Sequence, residues 1–76
     1  MFPLVLLGPG EQAEVIRLIC GERLFRRLMD MGLRVGKRLK VLSNRGRGPV
    51  LIKIEGLRLA LGRGAARKIL VRRVSP

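Results

Sequence analysis

The hydrophobic and polar positions change their period several times along the chain. Ala13 to Ile19 is rich in Val and Ile, with Glu14 and Arg17 as its polar members, and predicts a strand closed by Cys20 and Gly21. From Arg23 to Met31 the spacing becomes helical. Leu24, Leu28 and Met31 fall at i, i+4 and i+7, Phe25 and Met29 widen the stripe, and Arg23, Arg26, Arg27 and Asp30 fill the other side. Gly32 follows where a helix end commonly turns left-handed. The stripe is wide for so short an element, which leaves Phe25 or Met29 partly exposed.

Beyond a turn at Gly32–Gly36 the period falls to two. Leu39 and Val41 alternate with Arg38 and Lys40 in a half-buried strand, and Ser43 to Pro49 reads as a loop. Val50, Ile52 and Ile54 alternate with Leu51 and Lys53. Glu55–Gly56 makes a two-residue hairpin, and Leu57, Leu59 and Leu61 return. Gly62 to Arg67 predicts one helical turn, and Ile69 to Val74 the last strand. The first stretch, Met1 to Leu7, is apolar but far shorter than the ~20 residues of a membrane span, and Gly8–Pro9–Gly10 breaks it. The chain is therefore expected to be one mainly β domain, residues 1–76. About five short strands with one helix can bury a core by curling into a small SH3-like β-barrel, which also hides the sheet edges.

Composition narrows the chemistry. The chain has no histidine and a single cysteine, which excludes an internal disulfide and a cysteine cluster for zinc and removes the commonest general base. Ser43 and Ser75 are the only hydroxyl side chains, with no histidine to activate them. No catalytic residue, cofactor site or metal site is expected, and no small-molecule substrate. The carboxylates are dispersed, so a metal site would need Cys20 or acids shared between copies. Gly8–Pro9–Gly10, Gly46–Arg47–Gly48 and Gly62–Arg63–Gly64 lack the context of a phosphate-binding loop and read as turns. The lone Cys20 and the lack of a targeting signal point to a reducing cytoplasm.

Charge changes the picture further. Seventeen Lys and Arg against five acids give +12, a surface drawn to phosphates, anionic lipid and acidic protein faces. A basic small barrel that binds nucleic acid is one reading. Against it stand two Phe and no Tyr or Trp, which leaves little for bases to stack on. Exposed hairpin edges would permit a weak homo-oligomer.

The ordered segments resemble a known family. Pro9–Gly10–Glu11 before a strand, then Arg26–Arg27–Leu28–Met29–Asp30–Met31–Gly32–Leu33–Arg34–Val35–Gly36, is similar to the RRLxxxGLxxG segment of the FeoA family. Gly48–Pro49–Val50, Ile54–Glu55–Gly56–Leu57–Arg58–Leu59–Ala60–Leu61–Gly62–Arg63, Ala66 and Ile69–Leu70–Val71 follow its downstream pattern. The resemblance implies an SH3-like barrel with an inserted helix. It also implies a cytosolic accessory protein of ferrous iron uptake, working at the inner face of the membrane with the cytosolic region of the transporter FeoB. The contact surface expected on that reading is the exposed side of the helix and its exit turn: Arg26, Arg27, Met29, Asp30, Leu33 and Arg34. The competing reading makes Leu28 and Leu33 core and the Arg residues solvated.

Overall fold

The computed structural model describes residues 1–75. A two-residue strand β1 (Phe2–Pro3) leads into a 3-10 turn at Leu4–Leu6, then β2 (Gln12–Leu18) and the helix α1 (Glu22–Asp30). The chain continues through β3 (Arg38–Asn44), β4 (Val50–Ile54), β5 (Leu57–Leu61), a single helical turn α2 (Arg63–Ala66) and β6 (Ile69–Val74). The strands form one antiparallel sheet in the order β1-β6-β2-β3-β4-β5.

The alternation read from the sequence becomes two faces. Leu39, Val41, Val50, Ile52, Ile54, Ile69 and Val71 are buried, while Arg38, Lys40, Leu51 and Lys53 are exposed on the opposite face. Register breaks between Val15 and Arg17 and between Val41 and Ser43 add twist and help the sheet curl.

The expected small, mainly β architecture is present, with six strands where about five were expected and a sheet that is not closed: β1 and β5 are its edges. Side chains, not backbone hydrogen bonds, seal the interior. Leu4 and Leu7 from the apolar first segment, Leu28 from α1, Leu33 after it and Ala66 from α2 join the strand residues in one core. The open edge leaves a gradient along β5, where Leu61 is buried, Leu59 half-buried and Leu57 60% exposed. One expectation is corrected: Ser43 and Asn44 belong to β3 rather than to a loop. Asn44 Nδ2 donates to the carbonyls of Val5 (2.8 Å) and Leu7 (2.7 Å), and its Oδ1 accepts from Arg63 (2.8 Å). A turn-forming residue is thus held in a strand by partners far away in sequence. Among the described residues, no helix is long and apolar enough to cross a membrane.

Candidate functional site

Helix α1 begins without a side-chain cap at Gly21 and ends in a Schellman arrangement. The Gly32 amide donates to Met29 O and the Leu33 amide to Leu28 O, both at 2.9 Å, with Gly32 at φ +84°. This geometry brings the residue after the glycine back against the last turn of the helix. Leu33 therefore packs beside Leu28, and both are buried in the core. Leu33, expected on the contact surface, is fully buried (0% exposed) and leaves that set. Its part is to fix the path of the exit turn.

The other expected residues remain accessible. Arg26, Arg27, Asp30 and Arg34 are exposed, and Met29 is half-buried. Glu22, Arg23, Arg26, Arg27 and Asp30 line a shallow open depression along the helix. Arg26 is tied to Glu22 by an exposed i,i+4 ion pair at 2.6 Å. Such a pair contributes about 0.3–0.5 kcal/mol, so it orients the guanidinium more than it stabilises the fold. Arg23, Arg27 and Asp30 have no ion-pair partner among the described residues.

Sequence reasoning left two residues out of the set. Phe25 is 43% exposed, and helical spacing puts it next to Met29 between buried Leu28 and the Glu22–Arg26 pair. Val35 is 60% exposed in the exit turn beside Arg34. The width of the stripe signalled Phe25. Nothing local signalled Val35, because a Val in a turn is equally able to fold inward. The result is an apolar pair, Phe25 and Met29, with Arg26 on the adjoining side of the helix and Arg23, Arg27 and Asp30 further round it; aromatic, Met and Arg side chains together are the composition of a binding face.

Among the described residues there is no set of three or more His, Cys, Asp or Glu placed to hold a metal ion. Cys20 is half-buried against the core, away from any cluster of ligands.

Residues 2–73 match the FeoA domain family. The protein named "Putative Fe(2+) transport protein A" in Methanocaldococcus jannaschii is 41% identical over 71 residues, covering 93% of this chain and 85% of its own. Among solved structures, the crystal structure of the iron uptake regulatory protein FeoA superposes with a TM-score of 0.90 at 35% identity, over 95% of this chain and 96% of that one. The solution structure of the FeoA protein from Chlorobium tepidum gives 0.85 at 34% identity, over 97% of this chain and 71% of that one. The motif series, the open six-stranded sheet and these likenesses agree, and the chain belongs to the FeoA family.

Proposed function

We propose that this chain is a non-catalytic accessory protein of ferrous iron uptake that works in the cytoplasm by docking on the cytosolic region of the transporter FeoB. The observation that supports it is the exposed side of α1. Phe25 is exposed and Met29 half-buried on one side of the helix, Arg26 adjoins them, Arg27 and Asp30 carry the charge further round, and Arg34 and Val35 are exposed in the exit turn. Aromatic residues, Met and Arg are the side chains that anchor protein interfaces, and fixed Arg at the rim selects an acidic partner surface. Family membership supplies the iron-uptake context. The name of the Methanocaldococcus jannaschii relative, an Fe(2+) transport protein, supports the same cargo. Iron is read here as cargo of the transporter and not as a ligand of this chain.

The test is capture of the transporter's cytosolic region by the immobilised protein. R26E/R27E should lower capture at least tenfold, with an unchanged circular dichroism spectrum. Charge reversal sets like charges against an acidic partner surface, which costs several kcal/mol and accounts for a loss of that size. Undiminished capture would move the interface away from α1.

A further inference from the structure

The outer face of the sheet carries a feature that the α1 surface does not use. In the β3–β4 ladder Lys40 stands opposite Lys53, and in the β4–β5 ladder Lys53 stands opposite Arg58. Paired residues share a face, so the three cations form one row across three strands, and all three are exposed. Arg38 lies two residues before Lys40 on the same face. Adjacent strands are about 4.8 Å apart, well inside the ~8 Å Debye length at physiological salt, so neighbouring members of the row repel each other. Like charges placed directly opposite destabilise a sheet.

Nearby carboxylates do not relieve the row. Glu14, opposite Arg38, is engaged by Arg72 at 2.6 Å. Glu55, at the hairpin next to Arg38, is engaged by Lys37. Beside the cations runs an aliphatic spot: Leu51, 39% exposed, stands opposite exposed Ala60 on the same outer face.

From this arrangement we infer that the outer face of β3–β4–β5 rests on the anionic headgroups of a lipid bilayer, with Arg38, Lys40, Lys53 and Arg58 at headgroup level and Leu51 dipping below them. The chemistry selects among polyanions. A duplex phosphate backbone offers charge but no apolar layer for Leu51. A single strand offers bases to stack, yet this face has no aromatic side chain: Phe2 lies under the Arg73 guanidinium at 5.0 Å, and Phe25 is on α1. A bilayer surface offers spread negative charge over hydrocarbon, and Lys and Arg stems extend along it while their heads stay in water. Helix α1 packs Leu28 into the core from the inner side of the sheet, so the lipid-facing and transporter-facing surfaces do not coincide. The inference rests on the reading above, since a partner of a membrane transporter works beside headgroups.

The experiment is flotation of the full chain with vesicles of phosphatidylcholine and phosphatidylglycerol in equal parts, against phosphatidylcholine alone, without transporter. The wild-type chain should float with the anionic vesicles and not with the neutral ones, and added salt should release it. K40Q/K53Q/R58Q should bind the anionic vesicles roughly 100-fold more weakly, at the usual contribution of one surface cation each. R45Q/R47Q/R67Q removes the same charge elsewhere and should lose less than about fivefold, the effect of a single cation. A thermal melt guards against misfolding, and the row variant should melt no lower than wild type because repulsion has been relieved. No flotation with anionic vesicles, or equal losses in the two triple variants, would overturn the inference. So would a wild-type chain that ignores the vesicles but shifts a mixed-sequence DNA duplex through the same three residues. Because the vesicles hold no transporter, failure here leaves the α1 contact standing, and failure of the capture assay leaves the flotation result intact.

Discussion

Glu11 joins three separated parts of the chain. One carboxylate oxygen accepts the Gly8 amide at 2.6 Å and the other accepts Arg73 Nε at 2.7 Å, while the Arg73 guanidinium covers the Phe2 ring. The Gly8 hydrogen bond first, and Arg73 second, hold this carboxyl below its ordinary pKa. A depressed carboxylate contributes stability that is present above its unfolded value and is lost as pH falls through the folded one. E11Q should therefore be less stable than wild type at neutral pH, and the two should converge in acid, as urea midpoints measured across pH would show. Parallel pH profiles would remove Glu11 from the acid transition. None of this was legible in the sequence, where Glu11 stands only as the residue after the Pro9–Gly10 turn. Its partner Arg73 lies 62 positions away, and no local pattern reports such a distance. Leu33 is the opposite case. Once Gly32 is recognised as the left-handed end of α1, the hydrophobic residue that follows is committed to pack on Leu28, so its burial follows from the helix signal itself.

At the scale of elements, patterns of period two and 3.6 located β2, α1, β4, β5, α2 and β6 to within about two residues, the usual uncertainty of an element boundary. They failed at both places where a long-range partner decides. The apolar Met1–Leu7 stretch has no period, yet β1 pairs with β6 and Leu4 and Leu7 enter the core. The end of β3 was hidden because Asn44 is a turn former by local preference. In the folded chain Asn44 clamps the first segment to the sheet and receives Arg63, which also donates to Gly48 O at 3.3 Å. N44A removes three hydrogen bonds and leaves two carbonyls to find other donors. A loss of about 2–3 kcal/mol is expected at roughly 1 kcal/mol for each bond, readable from urea unfolding. A change within error would mean that the Leu4 and Leu7 side chains alone hold the segment in place. The hairpin between β4 and β5 shows that a local rule can be half read. Gly56 at φ +80° was expected, but Glu55 also sits at φ +49°, and its carboxylate reaches Lys37 from there.

For the molecule as a whole, composition pointed to binding rather than catalysis, and the motif order pointed to the family. What composition could not give was the arrangement of the charge. Four ion pairs engage Arg26, Lys37, Arg72 and Arg73, and most of the seventeen Lys and Arg have no carboxylate partner among the described residues. Strand register collects three of them into the row on the outer sheet face, and register is a property of the assembled sheet. The expectation of a small, mainly β, SH3-like domain holds, and the core it needs is completed by two packed helices and the first segment without a closing ladder.

The pairing of β1 with β6 has one more consequence. Phe2 faces Val71 and Pro3 faces Leu70, so the first and last strands run side by side. In topological terms residues 2–74 form almost a ring. A circular permutant joined by a short glycine–serine linker and reopened between Gly46 and Arg47, in the exposed turn of the β3–β4 hairpin, should fold with the same circular dichroism spectrum and melt cooperatively. A chain that melts without a cooperative transition would show instead that the β3–β4 hairpin must be continuous for the sheet to form.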